Sequence, residues 1–489
     1  MVKEELVDVV ILGGGNAGFC AAHAAAARGR KVVLLEKGTQ EESGGNSFYT
    51  AGAMRVAHGG LDDLTDILES DERLDSTLLP GYPEESFHAD MKRITGGAND
   101  PDLTETLVRD SLPTLQWLHD LGLQFRLMYE RQAYLDSQQR YVFWGGLAVG
   151  TVGGGKGLIA SHSQIASKAQ VDVRYGHAGA ALEGAPGQIT GVHYVKTDGS
   201  TGFLGAQSVI LAAGGFEANP ELREKYLGQG WRRAKVRGTP LNTGELLEVA
   251  IARGAQPYGD WGSCHSVAWD AKAAPTGNRE LTNQLTRGGY PLGIMVNKGG
   301  LRFVDEGADF RNYTYAKYGA EILKQEEGVA FQIFDVRTRA LLRTEEYDSD
   351  GASVIEASSL ERLGEAAGID PAALVRTVEE YNAGIDDSRP FDPSTLDQRA
   401  SRAIPPKSNW AQPVAQPPFY VFPVTCGITF TFGGLRANTH GQVLDSAGTP
   451  IGGLFVCGEM LGGLFSGNYP GGTGLTSGAV FGRRAGSLA

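Results

Sequence analysis

Residues 8–36 read DVVILGGGNAGFCAAHAAAARGRKVVLLE, and this stretch decides the fold. It predicts a buried strand, a glycine turn, a helix and a second buried strand that ends on an acid. Gly13 permits the tight turn, Gly15 lets a pyrophosphate approach the backbone, and Gly18 lets the helix pack on the strand. The free N–H groups at the helix start favour phosphate. Glu36 is spaced to accept a hydrogen bond from a ribose hydroxyl, so the stretch predicts a dinucleotide site.

Length, charge and cysteine usage limit the class of protein. The 489 residues suit two or three domains. A net charge of −13 argues against a nucleic-acid partner or an anionic membrane surface. The four cysteines (Cys20, Cys264, Cys426 and Cys457) form no C-x-x-C pair, which predicts reduced thiols and no metal, haem or iron–sulfur site. No apolar run reaches the roughly 20 residues that span a bilayer. Without a leader, we expect a cytoplasmic protein with no direct membrane insertion.

Further runs of small residues extend the expected cofactor crevice. The runs at 43–47 and 50–53 directly follow the acid, and small residues allow a flat ring or a phosphate to come close. A buried strand within 208–215 ends on small residues at the same crevice. Near the C-terminus, 453–459 reads as a strand that ends in an acid, and 471–475 opens a last helix.

The amino-acid composition changes in the middle of the chain. Residues 258–425 hold most of the proline and a helical segment at 371–383. The simplest account is a cofactor-binding domain, residues 1–257 and 426–489, interrupted by an inserted capping domain at 258–425.

Together these stretches resemble the flavoprotein subunits of the fumarate reductase and succinate dehydrogenase superfamily. The resemblance is closest to the soluble branch that contains tricarballylate dehydrogenase and 3-ketosteroid 1-dehydrogenase, and it covers nearly the whole chain. It implies an α/β fold in which an inserted α+β capping domain interrupts a Rossmann-like FAD-binding domain, with the active site between cap and flavin. The residues that carry it are 13–18 with Glu36, 44–46, 211–215, Arg302-Phe303-x-x-Glu306, and 458–459 with 468–475.

The resemblance implies FAD, with Glu36 at the ribose, Glu459 near the ribityl chain, and Leu475 and Thr476 at the isoalloxazine. Membrane-bound relatives attach FAD through a histidine, and Asn46 stands there in this sequence, so we expect noncovalent FAD. The full set of expected contacts is Gly13, Gly15, Asn16, Ala17, Gly18, Glu36, Lys37, Gly44, Gly45, Asn46, Ser47, Ala51, Gly52, Ala178, Ala213, Gly214, Glu459, Gly474, Leu475 and Thr476.

The chemistry implied is dehydrogenation or reduction of a C–C bond next to an electron-withdrawing group. His265 stands where relatives bind substrate, and Arg287, where relatives have Ala-Val-Arg-Gly, is expected to bind a carboxylate. Arg311 lies one residue out of register with the proton-donating arginine of fumarate reductases, which leaves Tyr313 or Tyr315 as alternatives. Guanidinium does not stay deprotonated in proteins. We therefore expect a tyrosine of lowered pKa to suit oxidation better.

Two departures from fumarate reductases imply that fumarate is not the substrate. Their carboxylate-binding arginine becomes Tyr469, and their second substrate histidine falls near Thr429 and Phe430. The leading hypothesis is an FAD-dependent dehydrogenase of a small polycarboxylate such as tricarballylate. The alternatives are a ketone-adjacent dehydrogenase or enoate reductase, and a non-catalytic electron-relay subunit. Since no second nucleotide, haem or iron–sulfur motif occurs, we expect an external electron acceptor such as a partner protein.

Overall fold

A computed structural model describes residues 5–489, and its largest sheet begins with the opening stretch of sequence. The strand Glu5–Leu12 pairs in parallel with Val32–Leu35 on one side and with Thr201–Leu211 on the other. The apolar runs at 9–12 and 32–35 are fully buried, as continuous Val, Ile and Leu runs predict for parallel strands covered on both faces. The helix Asn16–Ala27 connects them. The predicted strand, turn, helix and strand are therefore confirmed.

The end of the chain returns to this sheet. Pro450–Val456 pairs in parallel with the last residues of Thr201–Leu211. The final helix, Thr473–Leu488, crosses Asn16–Ala27 at close range: a Cβ on its Gly482 or Gly486 would lie 2.4 or 2.1 Å from a backbone oxygen of the first helix. The sheet is completed by Asp172–Arg174, His177–Glu183, Gly191–Lys196 and Gln442–Leu444.

A second, six-stranded sheet is built around the long strand Phe419–Thr431, with Lys235–Val236, Cys264–Asp270, Ile294–Val296, Val329–Asp335 and Ile355–Ala357. The helix Arg311–Leu323 lies against it, where a Cβ on Gly319 would meet the backbone of Ser266 at 2.6 Å. The predicted helix at Pro371–Ala383 is confirmed, and Asp370 caps it. This sheet takes strands from residues 235 to 431, so it reaches past both ends of the expected insert. The division at 258 and 425 stays a prediction.

Smaller elements complete the chain. The other strands are Ala53–Met54, Thr77–Leu78, Phe125–Leu127, Ala133–Leu135, Tyr141–Phe143, Val149–Thr151, Pro257–Tyr258 and Gly434–Leu435. The other helices are Glu84–Ile94, Pro101–Asp120, Tyr129–Gln132, Gly154–Lys168, Pro220–Leu227, Glu245–Ala252, Val336–Arg339, Thr344–Tyr347 and Leu360–Ala367. From residue 5 to residue 489, no helix is both long and apolar enough to cross a membrane. Over the same range, no cluster of three or more His, Cys, Asp or Glu side chains is arranged to hold a metal ion.

Candidate active site

A cavity of about 500 Å³ lies at the carboxyl ends of the parallel strands and extends to the second sheet. Leu12, Leu35 and Ala212, where three of these strands end, line one end of it. This is the position at which open α/β sheets bind ligands. At the opposite end the wall is built by His265 and Phe430, both from strands of the second sheet.

The crevice end of the cavity has the groups that an FAD needs. The Glu36 carboxylate is fixed at its strand end by the N–H groups of Gly14 (2.7 Å) and Gly38 (2.8 Å). Burial raises the pKa of Glu36. The turn itself has no room for a side chain, since a Cβ on Gly13 would lie 2.3 Å from the Ala212 oxygen. A bare glycine turn, a helix start and a fixed acid fit the adenosine diphosphate part of FAD.

Most of the expected FAD contacts line this cavity. Those that do are Gly13, Gly15, Asn16, Ala17, Glu36, Lys37, Gly45, Asn46, Ser47, Ala51, Ala178, Ala213, Gly214, Glu459, Gly474 and Leu475. Four expected contacts do not, because they pack against protein. A Cβ on Gly18 would meet the Gly13 oxygen at 1.9 Å, one on Gly44 would meet Ile159, and one on Gly52 would meet Thr151 at 2.2 Å. Thr476 is buried and donates to the Gly472 oxygen (3.2 Å).

Asn46 and Glu459 join the cavity to a buried carboxyl, Glu217. The Asn46 side chain donates to Glu217 Oε1 (2.7 Å) and accepts from the Thr239 N–H (2.8 Å). Glu459 accepts from the Thr431 N–H (2.7 Å). Burial raises the pKa of Glu459 to about 7, and burial together with Glu459 holds the pKa of Glu217 well above its usual value. The two carboxyls therefore retain a proton at neutral pH.

Aromatic side chains enclose the far end of the cavity. His265 stacks on Phe430 with ring centroids 5.2 Å apart. Tyr315 donates to the Tyr469 oxygen (3.0 Å), which also accepts the Gly472 N–H (3.0 Å). Because the Tyr469 oxygen accepts twice, its own proton is free to be donated into the cavity.

His265 is neutral. Burial, with Arg237 nearby, holds its pKa well below the usual value. Neither ring nitrogen has a hydrogen-bond partner among residues 5–489, and the side chain faces the cavity. Both nitrogens are thus available to a ligand.

Three arginines line the cavity: Arg237, Arg131 and Arg311. Arg237 is 8% exposed and bonds only neutral hydroxyls, Thr286 from Nε (3.1 Å) and Thr429 from Nη1 (3.1 Å). No carboxylate of the described chain lies within ion-pair distance of it, and burial lowers its pKa. A buried guanidinium without an acid is a site for an anion.

Arg131 and Arg311 share a carboxylate. Glu346 lies 2.7 Å from Arg131 and 3.6 Å from Arg311. Burial alone would raise the pKa of Glu346, but Arg131, Arg343 and Arg311 outweigh it and lower that pKa to about 2. Arg131 also pairs with Glu345, so the three guanidinium groups face two carboxylates and keep an excess of positive charge.

Arg287, expected to bind a carboxylate of the substrate, is not brought to this cavity. It is fully buried and paired with Asp270 (2.8 Å), which is equally buried at the end of its strand. It also donates to the Gln284 oxygen (3.1 Å). Arg287 therefore has a structural partner. The buried arginine that lines the cavity, where Arg287 was expected, is Arg237.

Tyr313 also lies away from the cavity. Its hydroxyl accepts from Arg55 (3.1 Å), and its proton is directed to the Asp90 carboxylate and the Gly145 oxygen (2.8 Å). Tyr313 and Tyr315 are two positions apart on one helix, so their side chains point roughly 200° apart. Tyr315 is the one that reaches the cavity.

None of the three tyrosines has the lowered pKa that would suit oxidation. Burial raises the pKa of Tyr313 to about 12 and also raises the pKa values of Tyr315 and Tyr469. These hydroxyls keep their protons.

Sequence reasoning missed Arg237 and Arg131. One signal was present: Val236-Arg237-Gly238 repeats the Val-Arg-Gly that relatives have and that was sought at Arg287. Arg131 has no such signal, because its place at the cavity depends on its ion-pair partner Glu346, which is 215 positions away in the chain.

Comparisons with known proteins agree with this geometry. The FAD binding domain family matches residues 8–475. The fumarate reductase (cytochrome) of Shewanella frigidimarina is 30% identical over 500 residues, which cover 99% of this chain and 77% of that protein. The urocanate reductase of Eggerthella lenta is 29% identical over 503 residues, which cover 99% of this chain and 74% of that protein.

One solved structure adds to these relatives. A flavocytochrome c3 fumarate reductase in its open conformation matches with a TM-score of 0.73 at 26% identity, over 99% of this chain and 78% of that one. The expected closeness to tricarballylate dehydrogenase stays a prediction.

Proposed function

We propose that this chain, which belongs to the FAD binding domain family, reacts with small carboxylates. The proposed reaction interconverts a C=C bond and a CH–CH bond of the substrate. It is an FAD-dependent oxidoreductase of the fumarate reductase type, whose relatives act on C=C bonds next to an electron-withdrawing group. The main support for a carboxylate substrate is Arg237, a buried guanidinium at the cavity wall that donates hydrogen bonds only to hydroxyls. An unpaired buried charge is costly, and a bound carboxylate offsets that cost.

The charge at the wall favours more than one carboxylate. Arg131 and Arg311 face the same cavity and share the buried Glu346, while Arg237 has no acid at all. One anionic group of a substrate can therefore lie at Arg237 and another near the arginine pair. This arrangement supports a dicarboxylate or tricarboxylate, of which tricarballylate and its unsaturated counterpart are examples.

The protonation states support reduction more than oxidation. When FAD is bound along the crevice, it supplies or accepts the hydride. The chain's own groups then handle a proton at the α-carbon. Tyr469 keeps its proton and has it free to donate, and Arg311 as a guanidinium can only donate. His265 is the neutral base of the cavity, and its lowered pKa makes it a weak one.

A second candidate, a dehydrogenase or reductase of a compound with a C=C bond next to a ketone, is favoured by one observation. The Tyr315 and Tyr469 hydroxyls lie 3.0 Å apart at the cavity wall, and a coupled hydroxyl pair can polarise a carbonyl. The arginines count against it, because a neutral ketone leaves Arg237 unpaired. A non-catalytic electron relay would need neither the arginines nor the proton donors.

Anaerobic flavin spectroscopy tests these proposals. Dithionite-reduced enzyme is mixed with unsaturated carboxylates (fumarate, urocanate and the unsaturated tricarboxylate) and with enones, and oxidised enzyme is mixed with tricarballylate. We expect at least one unsaturated carboxylate other than fumarate to reoxidise the flavin. Fumarate and the enones should give little response. Reoxidation by enones alone would establish the ketone reading, and no response in either direction would support the relay.

We further propose that FAD is noncovalent, since Asn46 is held by Glu217 and the Thr239 N–H. Electrons are proposed to reach or leave the flavin through an external partner.

A further inference from the structure

A second cavity, of about 430 Å³, lies on the other side of the Arg131 and Arg311 wall. Both arginines line the active-site cavity as well. The outer rim of the second cavity includes Leu135 and Leu341, which are 52% and 51% exposed. Large exposed apolar side chains at a cavity mouth favour an apolar ligand.

Aromatic rings form one wall of this second cavity. Trp144 stacks between Tyr134 (centroids 6.1 Å apart) and Phe310 (5.1 Å). Phe310 in turn packs on Trp410 at 5.6 Å. All four rings line the cavity, so a flat aromatic body would contact aromatic edges along its length.

Three buried polar atoms in the walls of this cavity lack hydrogen-bond partners within the described chain. They are Trp144 Nε1, Arg311 Nε and Glu346 Oε2. The Arg311 side chain is 10% exposed and the Glu346 side chain 1%. Buried polar groups are nearly always paired in native proteins, and Trp144 Nε1 and Arg311 Nε are N–H donors, so these two indicate a ligand with acceptor atoms.

The buried part of this wall is positive, because Glu130, which also lines the cavity, is paired with Arg73 (2.8 Å) and Arg126 (3.1 Å) instead. Arg343, which lines only the second cavity, joins Arg131 and Arg311. They face the buried Glu346 and Glu345, whose side chain is 41% exposed. Burial, with Arg311 and Arg131 beside it, lowers the pKa of Arg343 to about 9, as an incompletely balanced charge requires.

We propose that the second cavity binds a small planar aromatic carboxylate, separate from the substrate and sharing the Arg131 and Arg311 wall with it. The ring lies along the Tyr134, Trp144 and Phe310 wall, and the carboxylate meets the guanidinium groups. Because one pair of arginines faces both cavities, an anion in the second weakens carboxylate binding in the first. This coupling rests on the proposed function, whereas the binding itself does not.

The site can be tested by isothermal titration calorimetry, in which the FAD-loaded full chain is titrated with 2-naphthoate as the probe. Arg343→Met and Arg237→Met are matched variants, because each removes one guanidinium from one cavity. Loss of a charge-assisted hydrogen bond should weaken 2-naphthoate about tenfold or more in Arg343→Met. Arg237→Met should leave its affinity unchanged. Leu341→Asp, at an exposed position, should also weaken the probe if Arg343→Met does not fold.

Other outcomes overturn the inference. These are no binding of 2-naphthoate at millimolar concentration, binding lost in Arg237→Met but kept in Arg343→Met, and equal binding of cyclohexanecarboxylate or of the neutral naphthalene-2-carboxamide. Since none of these measurements needs turnover, failure of the proposed reaction would leave the binding result intact. The coupling has its own readout: 2-naphthoate should weaken a carboxylate substrate in the wild type and not in Leu341→Asp.

Discussion

Replacing Arg237 by methionine should remove carboxylate binding and leave the fold intact. The guanidinium lies at the cavity wall with Thr286 and Thr429 as its only side-chain partners, each at 3.1 Å. Methionine has a similar length and no charge, so the cavity keeps its shape. No carboxylate is left unpaired by the change, because none lies within ion-pair distance of Arg237 in the described chain.

The magnitude follows from what each arginine holds. Losing a buried charge-assisted partner costs about 2–5 kcal/mol of ligand binding, or roughly 30-fold to several thousand-fold in affinity. Two lost bonds to hydroxyls cost about 1 kcal/mol of unfolding free energy each, partly offset by no longer burying an unpaired charge. The matched control is Arg287→Met, which leaves the fully buried Asp270 without its cation. That should cost about 3–5 kcal/mol of unfolding free energy.

Two measurements separate these effects. Titration of oxidised enzyme with a carboxylate ligand, followed by the flavin absorbance, gives the affinity, and thermal unfolding gives the stability. We expect Arg237→Met to lose affinity at a nearly unchanged unfolding temperature, and Arg287→Met to unfold at a clearly lower one. The reasoning is refuted if Arg237→Met binds the ligand within about twofold of wild type, a change far below the cost of a lost buried partner.

Four further outcomes are expected. Stability of the FAD-loaded protein should fall as pH rises from about 5 to 8: unfolded carboxyls ionise near 4.5, whereas the folded Glu459, with its pKa raised to about 7, keeps its proton longer. Glu217→Gln should flatten this fall in a thermal-unfolding series, and an unchanged slope would contradict the shared proton. Tyr469→Phe should slow reoxidation of reduced flavin by substrate roughly tenfold or more, with carboxylate affinity nearly kept; a full rate in stopped flow would exclude Tyr469 as donor. Acid precipitation should release yellow FAD into the supernatant because Asn46 stands at the attachment position, and colour in the pellet would contradict this. Mixing reduced enzyme with NAD(P) alone should give only slow oxidation, so rapid stoichiometric turnover would show a nicotinamide site.

The cofactor half of the site could be predicted because its determinants are local. A glycine that must adopt φ +112° at Gly13, a helix directly after it and an acid at the next strand end are all written within residues 8–36. The fixed backbone geometry of a strand–turn–helix unit then places the acid beside the turn. Glu36 is accordingly held by the Gly14 N–H at 2.7 Å.

The substrate half could not be predicted to the same depth, because it depends on distant partners. Arg237 and Arg287 both precede a glycine, and the local sequence does not separate them. What separates them is Asp270, which ends the strand beside Arg287 and pairs with it, whereas Arg237 has no acid within ion-pair distance in the described chain. Likewise, Tyr313 is held away from the cavity by Arg55, which is 258 positions away in the chain.

The protonation states of the site residues are even harder to predict from the sequence than their positions. A tyrosine pKa falls if a cation dominates its surroundings and rises if burial does. Tyr315 has Arg237 and Arg311 nearby, yet burial outweighs both and raises its pKa. The sequence shows that arginines and tyrosines are present, but the sign of the shift depends on how completely water is excluded.

The buried arginines also explain how a protein with a negative net charge can bind an anionic substrate. A chain with a net charge of −13 repels an anionic substrate at long range. That repulsion is screened by salt over about 8–10 Å at physiological ionic strength, whereas a buried pair is screened far less. Binding of a carboxylate must therefore depend on cations that water and salt do not reach. Arg237, buried with only hydroxyl partners, has this property, and the exposed arginines that pair with neighbouring acids do not. The location of the charge, not its total, gives an acidic protein an anion site.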